Sequence, residues 1–205
     1  GIRYLVRSRG LGDVYKRQFV CTIFKYLGVP VYNADLEAKL IIENNPALKK
    51  RLISRFGTQT YDQHGHYNTK YISSIVFNDS VAKKELNDLI HPLVLQHSFD
   101  WYQACDEAGS AYALKESALL IESKNHIRLD KMIVVDAPLE IRIERLMHRD
   151  DISRELSLKK INSQMPQEEK LKYADFTILN DGQNPVIPQV YKIHHELIRL
   201  SDVPL

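Results

Sequence analysis

The sequence predicts an α/β fold on a parallel sheet, because strand-like runs alternate with helical ones in βαβ order around one long helical excursion. Three stretches carry that reading: FVCTIFKYLG leading into VPVYNAD, the pair SAYALKES and KMIVVDAP, and FTILND before a terminal amphipathic run. In the first, Phe19, Val20, Ile23, Phe24 and Leu27 recur at helical spacing, and Gly28 ends the pattern as a C-terminal cap does. VPVYNAD is then a brief strand with Asn33 and Asp35 at or just past its C-terminal end, where open α/β sheets bind ligands.

From Asp35 to about Glu122 the chain is mostly helical: LEAKLIIENN, PALKKRLISRFG, a polar turn YDQHGHYN, TKYISSIVFND, and the long SVAKKELNDLIHPLVLQHSFDWYQACDEAG. KMIVVDAP is an apolar run of buried type bounded by Asp136 and Pro138. The charged stretch after Pro138 has helical period with a break near Arg149 to Ser153, and Pro166 reads as a first-turn proline of its last segment. FTILND is the last strand, ending at Asn180-Asp181-Gly182, and NPVIPQVYKIHHELIRLS closes the chain as a helix.

At 205 residues the chain suits one domain of ordinary size, or a core with a small inserted subdomain. The balance of 28 Lys+Arg against 26 Asp+Glu gives no bulk-charge argument for a nucleic-acid or membrane partner. Two distant cysteines, Cys21 and Cys105, suggest neither a disulfide framework nor a zinc site and fit a reducing cytoplasm. No apolar run approaches the roughly 20 residues that span a bilayer.

Several residues invite chemistry, each beside a plainer reading. Asp35 can accept a proton or help hold a metal, or can N-cap the helix that follows. His91-Pro92 lies in an apolar helical stretch, where the imidazole is either functional or a satisfied buried group, and where proline would kink or restart the helix. Lys115-Glu116 puts two charges in a strand-like run, as a site or as an exposed strand terminus. Arg142, Arg145, Arg149 and Arg154 repeat near helical spacing and suit phosphate oxygens, or form a solvated face neutralised by Glu140, Glu144 and Asp150. Asn180-Asp181-Gly182 is a ligand loop or a simple turn.

Taken in order, FVCTIFKYLGVPVYNADLEAK, IVFND, LNDLIHPLV, ALKESALLIES, KMIVVDAP, RIERLMHRD, INSQMPQEEKLKYADFTILNDG and IPQVYKIHHELI resemble the dephospho-CoA kinase family over roughly Phe19 to Leu200. The resemblance implies a P-loop NTPase-like kinase fold: a three-layer parallel sheet with a helical substrate insert at about 36–110 and a helical lid at about 142–172, all in a single kinase domain. It implies transfer of the ATP γ-phosphate, with Mg²⁺, to the ribose 3′-hydroxyl of dephospho-CoA, the last step of coenzyme A synthesis. Asp35 matches the base or orienting residue. His91, Pro92, Lys115 and Glu116 match the acceptor side. Arg145 and Arg149 match lid arginines that neutralise the transferred phosphoryl group, and Asn180 and Gly182 match the loop bracketing the ATP adenine. A nucleoside monophosphate kinase is the related alternative, against which the His91-Pro92 pair and the NDG ending argue. A non-catalytic binder of CoA-like ligands or of a protein partner is another.

The family pattern fails before Phe19. Members carry G-x-x-x-x-G-K-[ST], and the corresponding positions here are Leu11, Gly12, Asp13, Val14, Tyr15, Lys16, Arg17 and Gln18. Leu11 and Lys16 replace both glycines, so the backbone is expected to lose the path that turns successive N–H groups toward phosphates. Arg17 keeps a charge but not the lysine's compact reach, Gln18 lacks the Mg²⁺-contacting hydroxyl, and Asp13 adds a negative charge. Normal ATP binding is therefore expected to be lost. The boundary is abrupt, and SRGLGDVYKRQ resembles translated sequencing-adapter text more than a protein element. That predicts a foreign or fused N-terminus, residues 1–18, over gradual loss in an evolved pseudokinase. The first core strand is expected to be lost with it or imitated by Tyr4 to Val6.

Overall fold

The structure is a computed structural model. It describes residues 2–7, 14–77, 79–117, 129–163 and 165–201, with side chains described from residue 18 onward. The chain forms two compact units, one of Gly1–Asn33 and Tyr102–Leu205, the other of Ala34–Trp101.

The first unit holds a five-stranded sheet: β1 (Ile2–Arg7), β2 (Val31–Asn33), β3 (Tyr112–Glu116), β4 (Lys131–Asp136) and β5 (Phe176–Leu179), in spatial order β2-β3-β1-β4-β5. Every pairing is parallel. β1 occupies the centre, with Ile2 opposite Tyr112 and Tyr4 opposite Lys131, so the strand that Tyr4 to Val6 was expected at most to imitate is present. Backbone ladders need only a β-compatible run, and Ile, Tyr, Leu and Val supply one.

Parallel sheets are covered on both faces, and β4 shows how. Ile133 and Val135 join a core with Val20 and Phe24 of α1 (Val14–Tyr26), Leu114, Ile178, and Val190, Ile193 and Leu197 of α9 (Val186–Ser201). Met132 and Val134 point the other way, to Met165, Leu171 and Ala174. The period-2 alternation of one strand thus serves two helical layers. Leu171 ends α8 (Gln167–Leu171), which begins after Pro166; that proline caps the helix from outside, not from its first turn. α1 begins at Val14, five residues before the expected start at Phe19, and Phe19 itself is half exposed.

Two further helices, α6 (Leu139–Asp150) and α7 (Arg154–Asn162), bury Ile143, Leu146 and Ile161 against each other. The break foreseen near residues 149–153 is built by Asp151, whose left-handed φ of 51° ends α6, and by Ser153, whose hydroxyl accepts from Leu156 N at 3.2 Å to start α7.

The second unit is helical, with α2 (Ala34–Asn44), α3 (Pro46–Phe56), a 3₁₀ turn (Thr58–Thr60), α4 (Thr69–Val76) and most of α5 (Ser80–Glu107). Its core joins Ile42, Leu48, Leu52, Phe56, Tyr61, Ile72 and Ala82. Asn45 and Asn68 cap α3 and α4 by accepting from Leu48 N at 2.9 Å and Tyr71 N at 3.1 Å. The hydroxyl of Tyr61 donates to Ile42 O at 2.7 Å, and burial pushes its pKa up to about 12. α5 runs through Pro92 without interruption, so the proline neither ends nor restarts it.

Candidate active site

The sheet's carboxyl edge positions the first group. Asn33 is the last residue of β2 and lies opposite Glu116, the last residue of β3, which in turn lies opposite Val6 of β1. Glu116 is only 5% and Lys115 only 7% exposed, which overturns the reading of an exposed strand terminus. Buried charge requires partners. Asn33 Nδ2 donates to Glu116 Oε2 at 2.9 Å, and Lys115 Nζ sits over the Tyr32 ring, 5.5 Å from its centroid. The sequence reading missed Tyr32 as a partner; its place in VPVYNAD, one residue before the strand end, was the available signal.

The second group is carried by α6 and by the loop after β5. Arg145 Nη1 donates to Asn180 O at 3.2 Å and Nη2 to Asn180 Oδ1 at 3.4 Å, while Asn180 N donates to Asp136 O at 2.8 Å. Asp181 folds the loop: its Oδ1 accepts from Gln183 N at 2.9 Å and Asn184 N at 2.8 Å, and its Oδ2 from Asn184 Nδ2 at 2.8 Å. The Asn184 amides, backbone first, hold the Asp181 carboxyl below its usual pKa. Gly182 has φ +83°, and a Cβ there would meet no atom within 4 Å, so glycine is required by conformation and not by space. Gln189 of α9 accepts from Leu179 N at 2.8 Å and donates to Leu179 O at 2.9 Å and Pro185 O at 3.0 Å. Residues 180–182 form a turn held to β4 and α6 through Asn180, with α9 bonded to the chain on either side of it.

Arg149 forks onto Asp150, with Nε–Oδ1 at 2.7 Å and Nη2–Oδ2 at 3.1 Å, and Lys160 Nζ reaches the same Oδ2 at 3.0 Å. Hydrogen bonding from Arg149 leads in holding the Asp150 pKa at about 2, below its ordinary 3.8. Arg154 forks onto Glu140 at 2.7 and 2.8 Å. Arg149 and Arg154 thus make the ion pairs that the plainer reading expected, whereas Arg145 contacts Asn180, and the buried Nε of Arg142 has no hydrogen-bond partner among the described residues.

Three candidates belong to the helical unit. Asp35 is exposed and lies inside the first turn of α2, which begins at Ala34, so it is not the N-cap; a carboxylate there still opposes the positive end of the helix dipole. His91 and Pro92 are exposed on α5, which overturns the buried-histidine reading. Val14 to Gln18, the second half of the expected phosphate loop, form the start of α1, while Leu11, Gly12 and Asp13 lie outside the described residues. Among the described residues, no group of three or more His, Cys, Asp or Glu is placed to hold a metal ion, and no helix is long and apolar enough to cross a membrane.

A parallel sheet in the order β2-β3-β1-β4-β5, with β1 leading into α1 and ligand-type residues gathered at the strands' carboxyl ends, defines the P-loop kinase class of α/β protein. Solved structures agree. A Thermus thermophilus protein superposes with a TM-score of 0.78 at 26% identity, covering 95% of this chain and 96% of that one. A dephospho-CoA kinase from Campylobacter jejuni superposes with a TM-score of 0.71 at 28% identity, covering 96% and 97%.

The family model for dephospho-CoA kinase matches residues 16–185. The dephospho-CoA kinase of Bacteroides fragilis strain YCH46 is 36% identical over 180 residues, 86% of this chain and 85% of that protein. That of Yersinia pseudotuberculosis serotype I is 32% identical over 199 residues, 97% and 95% respectively. The chain belongs to the dephospho-CoA kinase family, ATP-using transferases that phosphorylate dephospho-CoA.

Proposed function

We propose that this chain is built to phosphorylate the ribose 3′-hydroxyl of dephospho-CoA in the cytoplasm, and that its grip on ATP is impaired by residues 11–18. In the reaction the hydroxyl oxygen attacks the γ-phosphorus, its proton passes to Asp35, and the bond to the ADP oxygen breaks. Asp35 lies in the helical unit with His91 and Pro92, which serve the acceptor; the acceptor region extends over about 36–110. Lys115 and Glu116 close the acceptor end of β3. Arg145 and Arg149 carry charge to the transferred phosphoryl group from the lid at about 142–172, and lid closure keeps water from the γ-phosphate. Asn180 and Gly182 bracket the adenine.

The observation that carries the impairment is local. α1 begins at Val14 with Lys16, Arg17 and Gln18 at the positions of Gly, Lys and Ser/Thr, so the retained helix start lacks the glycine on which the phosphate cradle depends. Arg17 is the residual cation of that site. Gln18 is exposed and offers a carboxamide where Mg²⁺ would meet a hydroxyl, so the residues present do not fit the ion's usual protein contact. The same loss favours the second reading, a binder of CoA-like ligands without turnover.

ADP release with dephospho-CoA separates them. Changing residues 11–18 to G-x-x-x-x-G-K-S is expected to raise the rate by on the order of 10³-fold, the scale of restoring several oriented donors to a developing anion. Full activity in the unaltered chain would overturn the impairment. A restored chain that stays inactive would overturn the roles given to the acceptor residues and favour the binder.

A further inference from the structure

We propose that the helical unit carries an anion site of its own: the groove between α3 and α5 binds a small phosphate-class polyanion, of the kind of inorganic pyrophosphate, through Lys50, Arg51 and Ser54. The groove has a volume of about 590 Å³, the size of a small-molecule cleft, and its walls are Lys50, Arg51, Ser54 and Arg55 of α3 and Glu85 and Asp88 of α5. Asp35, His91 and Pro92, the residues given to the acceptor, are not among its lining residues.

The spacing of α3 builds the cationic wall. Leu48, Leu52 and Phe56 recur at every fourth position and are buried in the unit's core, which leaves Lys50, Arg51, Ser54 and Arg55 on the outward flank. Walls of opposite charge would be expected to neutralise each other, and here they do so only in part. Arg55 Nε donates to Glu85 Oε2 at 2.7 Å, and its guanidinium lies 5.1 Å from the Phe56 ring centroid. Asp88 is engaged by Lys84 of its own helix, which donates from Nζ to Oδ2 at 2.6 Å. Both acids are thus occupied, and Lys50 and Arg51 have no ion pair and no side-chain hydrogen bond among the described residues. Their neighbour Lys49 is different, since its Nζ donates to Gly65 O at 3.3 Å and sits 4.5 Å from the Tyr61 ring centroid.

Adjacent cations without a counter-charge repel each other, and an anion between them removes that repulsion. The donor set selects its class. Arg51 offers a planar fork that matches two oxygens of one phosphate, Lys50 a point charge for another, and Ser54 a hydroxyl donor about one turn further along the helix. Glu85 and Asp88 on the facing wall disfavour a long polyanion, which would run into them; a compact one meets α3 alone.

The test uses the full, unaltered chain, ¹⁵N-labelled, with inorganic pyrophosphate titrated at constant ionic strength. The amides of Arg51 and Ser54 are expected to shift and saturate, while those of Gly182 and Asn184, in the other unit, stay unmoved. Arg51→Gln should weaken binding about tenfold, the scale of losing a bidentate charge-assisted contact. Lys50→Gln should weaken it about threefold, the scale of an exposed point charge. Glu85→Gln removes an acid and releases Arg55, so binding should tighten by about threefold, an effect that loss of a merely structural ion pair would not produce. Lys192→Gln, which removes an exposed cation of α9, controls for general charge and should change nothing. Excess dephospho-CoA, which carries a diphosphate of its own, should not displace pyrophosphate from Ser54. The proposal is overturned if the Arg51 and Ser54 amides stay unmoved or fail to saturate, or if Gly182 and Asn184 respond as strongly. It is overturned equally if Arg51→Gln binds as the unaltered chain does, if Lys192→Gln loses as much, if Glu85→Gln weakens binding, or if dephospho-CoA competes. The kinase reading is tested apart, by ADP release from the loop-restored chain.

Discussion

β1 and α1, joined through residues 8–13, and β5 and α9, joined through residues 180–185, are two strand–loop–helix segments of one parallel sheet. The first lacks the G-x-x-x-x-G-K-[ST] pattern in its loop, yet β1 pairs on both sides, and α1 sends Val20 and Phe24 into the same core that receives Val190, Ile193 and Leu197 from α9. The second has the loop chemistry as well: an aspartate that caps two amides, a glycine at positive φ, and an arginine brought from another helix. A strand tolerates many sequences because its ladder is backbone, and a helix asks mainly for suitable spacing. A phosphate cradle tolerates few, because its N–H groups converge only along a glycine-dependent path. Fold and chemistry can therefore part company within a dozen residues.

The largest expected effect lies in the chemistry. In a chain with residues 11–18 restored, Asp35→Ala should lower ADP release by about 10²- to 10⁴-fold, the range of a general base, with little change in melting temperature because Asp35 is exposed. A loss under tenfold would remove Asp35 from the proton's path. The next comparison tests packing. Phe24→Ala in α1 and Leu197→Ala in α9 both truncate fully buried side chains of one core and should each cost about 3–5 kcal/mol in chemical denaturation. A much smaller loss at Phe24 would mean that the first segment is not an equal part of the fold.

How much of this could be read from residues alone differs between the same two segments. KMIVVDAP and FTILND were legible because buried parallel strands are continuous apolar runs, and the break before α7 because Asp and Ser interrupt the helical period. The early start of α1 was not, since VYKRQ has no apolar stripe; its helix-forming Lys, Arg and Gln were the overlooked signal. Nor could the burial of Glu116 be foreseen, because an amide that bonds it, on Asn33, is 83 positions away. The bond from Arg145 to Asn180 spans 35 positions and was hidden for the same reason: a tertiary contact leaves no mark in local spacing.

Smaller effects refine the second segment and the lid. Asp150, with its pKa held at about 2 against an ordinary 3.8, contributes stability that is complete above the ordinary value and is lost as pH falls toward 2. Acid titration of melting temperature should therefore be shallower between those limits in Asp150→Asn, and an unchanged profile would show that the Arg149 and Lys160 contacts do not persist in solution. Gln189→Leu removes an amide that acts as a short extra strand on the edge of β5, and should cost about 1–2 kcal/mol while increasing self-association through the uncovered edge. Equal stability and unchanged sedimentation would set that role aside.

The separation of fold from phosphate chemistry is tested most directly by comparing ATP with adenosine on the unaltered chain, at the Gly182 and Asn184 amides. If residues 11–18 no longer hold phosphates, the two should bind within about tenfold of each other, a difference of roughly 1.4 kcal/mol. ATP bound a hundredfold or more tighter than adenosine would contradict it, because the phosphates would then be gripped by a loop with Leu11 and Lys16 at the two glycine positions of the G-x-x-x-x-G-K-[ST] pattern.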